Sequence, residues 1–95
     1  MEIEGCRIAE LQKNYGTPFY LYMPQVARNN FQNLKKAFNG KTETEIAYSY
    51  KTNYIPEICE DLHSFGASPE VIAGFEYELS ERLNQDMSKV IVNGP

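Results

Sequence analysis

The stretch Ile46-Ala47-Tyr48-Ser49-Tyr50-Lys51-Thr52-Asn53-Tyr54 sets a lysine at the end of a run of β-forming aromatic residues. In an extended strand alternate side chains share a face, so Ala47, Ser49 and Lys51 project one way and Ile46, Tyr48 and Tyr50 the other. The lysine therefore keeps company with two small residues, while the bulky face is suited to pack beneath helices. An amine placed there is either a solvated strand terminus, the ordinary fate of lysine, or a partly desolvated nucleophile toward an aldehyde. Spacing alone does not choose between the two.

Outward from this stretch, the patterns alternate regularly. Pro56 opens a helix carrying Ile58, Cys59, Leu62 and Phe65 and closed by Gly66. A strand is expected at residues 70–73, then a helix with Phe75, Leu79 and Leu83 on one face, then a strand at 89–93. On the other side, residues 17–22 follow a Gly-Thr-Pro punctuation and are rich in β-formers, which predicts a strand. Pro24 then begins an amphipathic helix in which Ala27, Phe31, Leu34 and Phe38 recur at helical spacing until Asn39-Gly40.

The order from residue 46 is βαβαβ, which predicts a parallel sheet with right-handed crossovers. A parallel sheet is normally covered on both faces, by helices or by closure into a barrel, and three strands supply too few helices and no closure. The chain stops at Asn93-Gly94-Pro95, where a βα loop is expected to begin. These features predict an α/β architecture that is the front piece of a larger (β/α)8 barrel. In such barrels the chemistry sits at the C-terminal ends of the strands, which is where Lys51 falls.

At 95 residues the chain has room for one core. Nine Lys and Arg against thirteen Asp and Glu give a net charge of −4 without a basic run, which argues against nucleic acid or an anionic membrane as partner and for a small soluble substrate. Cys6 and Cys59 lack the spacing of a zinc or redox pair. The start lacks the apolar core of a signal peptide, and no apolar run approaches the roughly 18 residues of a membrane span. A cytoplasmic location is the expectation.

Several motifs, taken together in order, carry a family resemblance. Tyr15-Gly16-Thr17-Pro18-Phe19-Tyr20-Leu21-Tyr22, Asn30 in the following helix, Tyr48-Ser49-Tyr50-Lys51-Thr52-Asn53 and Glu70-Val71-Ile72-Ala73-Gly74-Phe75-Glu76 resemble the N-terminal part of the pyridoxal-phosphate-dependent decarboxylases that act on diaminopimelate, ornithine and arginine. The resemblance implies a barrel of the alanine-racemase type, an amino-acid substrate and a homodimer in the full-length form. It divides the chain into residues 1–22, a strand segment joining a C-terminal β-domain, and residues 23–95, the first portion of the cofactor-binding barrel. It also implies that Lys51 forms the internal aldimine with pyridoxal phosphate, whose ring then acts as the electron sink for decarboxylation. Glu70 matches an acidic residue that, in similar enzymes, orients a histidine stacked on the cofactor. On its residue type alone Glu70 is equally well an exposed strand-start carboxylate. Glu76 matches the acid of a small-Gly-x-Glu turn, and its expected role is structural, at a helix start.

The chain departs from the pattern at Met23, where many relatives carry Asp, at Thr52, where Ala is commoner, and at Ala73, where Ser is common. The histidine, the phosphate loop and the pyridine-nitrogen carboxylate of similar enzymes come from later strands, so no decarboxylation is expected of these 95 residues alone. His63 is expected as a surface or helix-end residue without chemistry, Cys59 as core, Tyr48, Tyr50 and Tyr54 as packing, and Asn53 as an anchor for the loop after Lys51. Two other readings stand beside the enzyme: a barrel that carries pyridoxal phosphate without catalysis, and an interaction module using exposed sheet edges.

Overall fold

A computed structural model describes residues 2–3, 5–38, 40 and 43–94. The chain starts with a short antiparallel pair, β1 (Glu2–Ile3) and β2 (Cys6–Arg7), in the register Glu2↔Arg7 and Ile3↔Cys6. Helix α1 (Ile8–Tyr15) follows. Its Ile8 and Leu11 lie three residues apart and are both half-buried, so a helix stands within residues 1–22, which were expected to be a strand segment. The helix ends at Gly16, whose φ of +77° suits glycine and whose N–H donates to the Gln12 carbonyl at 2.9 Å.

The strand expected at residues 17–22 does not form. β-Propensity makes a strand only where a ladder partner exists, and residues 18–23 have none among the described residues. Tyr20 is fully exposed. The expected helix does form as α2 (Pro24–Ala37), with proline in its first turn and Lys35 and Lys36 in its last, where cations favour the negative end of the dipole. Asn39 of the expected helix stop lies outside the described residues, as does Pro95 at the expected strand exit.

The rest is the predicted βαβαβ unit: β3 (Ala47–Ser49), α3 (Pro56–Phe65), β4 (Ser68–Val71), α4 (Gly74–Arg82), a 3-10 turn (Met87–Lys89) and β5 (Ile91–Val92). The three strands are parallel in the order β3-β4-β5, with Ser49 opposite Glu70 and Glu70 opposite Ile91. Phe31 of α2 is buried against Phe65 of α3, with ring centroids 6.3 Å apart, and Tyr22 ties the preceding segment to α3 by donating to Asp61 Oδ2 at 3.1 Å. Burial and the neighbouring Asp61 carboxylate push the Tyr22 phenol up to about 12. Leu34 and Phe38, which share the stripe of Phe31, remain largely exposed.

Two strands differ from their expected positions, each for a local reason. β4 begins two residues early and includes Pro69. Ser68 N–H donates to the Ile46 carbonyl and Tyr50 N–H to the Glu70 carbonyl, so residues 68 and 70 bond toward β3. The nitrogen of Pro69 then faces the β5 side, where pairing begins only at Glu70↔Ile91, and the missing donor costs no ladder bond. β5 begins two residues late because Asp86 caps a 3-10 turn: its Oδ1 accepts from Ser88 N–H at 3.0 Å and from the Ser88 hydroxyl at 2.6 Å. Lys89 is thereby drawn into the turn and out of the strand.

Period-2 alternation puts Tyr48, Tyr50, Pro69 and Val71 on one face of the sheet, and there lies the core. Tyr50, Cys59 and Val71 are fully buried together, with Tyr48, Leu79, Leu83 and Val90 packed around them. Burial of a side chain such as Val71 contributes about 1.5–3 kcal/mol. The inward face of α4 is not the expected Phe75–Leu79–Leu83 stripe alone. Glu76 and Ser80 are its buried residues, whereas Phe75 is half exposed and meets Tyr54 edge-on at 5.3 Å. Glu76 sits at the third position of the helix and reaches back, its Oε1 accepting from Ile72 N–H at 3.0 Å, which is the structural role expected of it.

His63 stands in the last turn of α3, the helix-end position expected as one alternative, but it is not a surface residue. It is half-buried beneath the sheet, bridging α3 to the strands. The Ala67 carbonyl, 2.8 Å from Nδ1, can only accept, so Nδ1 carries the proton and Nε2 accepts from the Tyr50 hydroxyl at 2.5 Å. Desolvation holds His63 below its ordinary value of 6.5, the Ala67 bond opposing it.

The folded chain therefore holds this imidazole neutral, while the unfolded chain takes up its proton around 6.5. More protons are bound to the unfolded state below that pH, so the stability tied to His63 is complete above 6.5 and is lost as pH falls from there to the lower folded value. Urea unfolding of the wild type between about pH 7 and about pH 5 is expected to show a falling midpoint, and His63→Gln is expected to flatten that part of the curve.

Candidate active site

The second face of the sheet carries Ala47, Ser49, Ser68, Glu70 and Ile91, and no helix among the described residues covers it. Its residues are small or polar near β3; Ser49, Ser68 and Glu70 are half-buried and Ala47 and Ile91 exposed, in contrast to the closed face beneath. In-register neighbours share a face, which puts Ser49 and Glu70 side by side; the Ser49 hydroxyl donates to Glu70 Oε1 at 3.2 Å. Glu70 is accordingly a partnered carboxylate in mid-strand, not the solvated strand-start residue that its type alone allowed. Ser49 was named only as a small neighbour of the lysine; its role as a partner of Glu70 required the register.

Lys51 lies just past β3, in a turn closed by Thr52 N–H donating to the Ser49 carbonyl at 3.1 Å. It is exposed, and it makes no hydrogen bond or ion pair among the described residues. The structure thus brings Ser49 and Glu70 into contact and puts Lys51 at the adjoining strand exit.

The loop after Lys51 is held in place from three directions. Asn53 Oδ1 accepts from Ile55 N–H at 3.0 Å, an Asx turn that leads into α3. The Asn53 carbonyl accepts from the Tyr48 hydroxyl at 2.8 Å and from the Cys59 thiol at 3.6 Å. Asn53 thus anchors the loop, as expected. Burial pushes the Cys59 thiol up to about 11, the Glu76 carboxylate adding to the effect, and burial also raises the phenol of Tyr48.

Chemically, the arrangement presents an unengaged primary amine two residues past Ser49, at the C-terminal exit of a parallel strand whose Ser49 hydroxyl holds the Glu70 carboxylate. A parallel βαβαβ unit with functional groups at its strand exits is the architecture of an α/β enzyme segment. No family model matches the chain. The diaminopimelate decarboxylase of Aquifex aeolicus is 28% identical over 92 residues, covering 97% of this chain and 21% of that protein. That of Methanocaldococcus jannaschii is 30% identical over 98 residues, covering 97% of this chain and 22% of that protein. A crystal structure of diaminopimelate decarboxylase from M. jannaschii in co-complex with L-lysine matches with a TM-score of 0.89 at 28% identity, over 98% of this chain and 23% of that one. This chain is homologous to the diaminopimelate decarboxylases, and it spans about a fifth of the length of the curated relatives it matches. Among the described residues no helix is long and apolar enough to cross a membrane.

The two cysteines are expected to separate cleanly. Cys6 is exposed and Cys59 is fully buried with its thiol held well above the ordinary range. A thiol-reactive disulfide reagent near neutral pH is expected to titrate one cysteine in the native chain and both in denaturant. Fast native reaction of Cys59 would contradict the packing around Asn53.

Proposed function

We propose that this chain is the N-terminal segment of a pyridoxal-phosphate-dependent amino-acid decarboxylase of the diaminopimelate, ornithine or arginine type, with Lys51 as the residue that holds the cofactor. The observation that carries the reading is the position of Lys51 at the C-terminal exit of a parallel strand, two residues after the Ser49 that holds Glu70. The names of the relatives favour a decarboxylase over a barrel that carries the cofactor without catalysis, and favour diaminopimelate among the three substrates.

The donor set fits part of what such a cofactor requires. An aldehyde needs a primary amine with room around it, and Lys51 follows Ala47 and Ser49 on a face free of bulky neighbours from β3. When bound, pyridoxal phosphate supplies an electron sink for the carbanion left by loss of CO2. The chain's own residues have simpler tasks. Lys51 Nζ would hold the cofactor through its aldehyde, with water as the leaving group, and Glu70, oriented by the Ser49 hydroxyl, would accept an N–H from a group supplied by another part of the protein. The closed face keeps the strand exits rigid through Tyr50, Cys59 and Val71.

In this reading the sheet continues into an alanine-racemase-type (β/α)8 barrel, residues 1–22 join a C-terminal β-domain, and the full-length protein is a cytoplasmic homodimer acting on a small amino acid. The 95 residues by themselves are inactive, because positioning and electrostatic stabilisation of the reacting groups come from several strands at once.

The test is to incubate the chain with pyridoxal phosphate, reduce with borohydride and map the modified lysine by peptide mass. Selective labelling of Lys51 over the other five lysines is expected, together with its loss in Lys51→Ala. Uniform labelling of all six would remove the support for Lys51 as the cofactor amine.

A further inference from the structure

Lys51 is bracketed by a contact that nothing in its immediate sequence requires. Three residues before it, Tyr48 leaves β3 on the helix side; two residues after it, the Asn53 carbonyl turns back over α3. The Tyr48 hydroxyl and the Cys59 thiol both donate to that single oxygen, at 2.8 and 3.6 Å. A carbonyl oxygen has two lone pairs, and here each has a donor, one from the strand and one from the helix. We propose that Tyr48 is a positioning residue: its hydroxyl, with the Cys59 thiol, clamps the Asn53 carbonyl and so sets the direction in which Lys51 leaves β3. The proposal rests on the reading of Lys51 as the cofactor amine.

Three observations carry it. Residues 51–55 are all exposed, so burial does little to hold the turn. Its other hydrogen bonds, Thr52 N–H to the Ser49 carbonyl and Ile55 N–H to Asn53 Oδ1, close small local rings; the far end of the turn is tied to α3 by the Ile55 carbonyl and to α4 by the Tyr54–Phe75 contact, so the Lys51–Asn53 half takes its hold on the helix side from the Asn53 carbonyl. The two bonds to the Asn53 carbonyl come from elements outside the turn, and both donors are rigidly held. Cys59 is fully buried, and Tyr48 is packed on the core with its ring 6.2 Å from that of Tyr50. A donor fixed in advance by packing holds its acceptor at little entropic cost, and the aim of a reacting amine depends on that kind of constraint.

Tyr48→Phe removes the hydroxyl and keeps the ring. In the whole chain, amide hydrogen exchange at Thr52 and Ile55 is expected to quicken about fivefold, the size of one lost neutral hydrogen bond. The Ser68 and Asn93 amides, which bond within the sheet, are expected to keep their rates. Labelling of Lys51 by pyridoxal phosphate and borohydride is expected to fall about fivefold relative to the other five lysines. If Tyr48→Phe also loosens the sheet amides, Cys59→Ala, which removes the second donor, decides with the same readouts. Faster turn exchange with unchanged Lys51 selectivity would make the clamp purely structural and overturn the proposal. Unchanged turn exchange would overturn it as well, while selective wild-type labelling would leave Lys51 as the cofactor amine. Unselective labelling of the wild type would remove that reading and the proposal with it.

Discussion

The parallel pairing of β3 with β4 is the constraint on which the rest depends. Its register puts Tyr48 opposite Pro69 and Ser49 opposite Glu70, and every side chain of the two strands is thereby assigned to one face or the other. A slip of β4 by one residue would turn Val71 out to solvent and Glu70 in beside Tyr50. The hydrophobic term alone forbids this, because the closed face holds the fully buried residues of the central cluster and α3 and α4 are laid against it.

From that register the candidate site follows. One face is covered by helices and by a polar network that leaves no buried side-chain donor or acceptor unmatched among the described residues: His63 between Tyr50 and Ala67, Glu76 on the Ile72 amide, Ser80 on the Tyr77 carbonyl. The other face is uncovered, lined near β3 by small and polar residues, and ends at Lys51. A parallel sheet with one uncovered face is an incomplete solution to burial. That agrees with a chain that spans about a fifth of its curated relatives and matches the backbone of one of them closely.

Much of this was legible in the residues. The alternation of helical and strand periods, with Pro24 and Pro56 at helix starts and Gly66 at a helix end, was enough for the βαβαβ order. The position of Lys51 just past the strand and the anchoring role of Asn53 were also readable, because both follow from where the β-forming run ends. The failures have local causes. Residues 17–22 have the composition of a strand, but composition cannot provide a ladder partner. The helix at Ile8–Tyr15 was hidden by its polar residues. The burial of His63 could not be read because its two partners, Tyr50 and the Ala67 carbonyl, lie beyond α3, just after β3 and just before β4.

By itself, the sequence determined which segments alternate, which face of β3 is bulky, and where Lys51 stands relative to the strand's end. Those are properties of spacing along one chain, set by the periods of helix and strand. Only the tertiary structure decided that Glu70 meets Ser49, that Glu76 and Ser80 rather than Phe75 face inward, and that the Asn53 carbonyl is shared by Tyr48 and Cys59. Each of these depends on register between elements far apart in sequence, and register is chosen by the burial of the whole sheet rather than by the preference of any one segment.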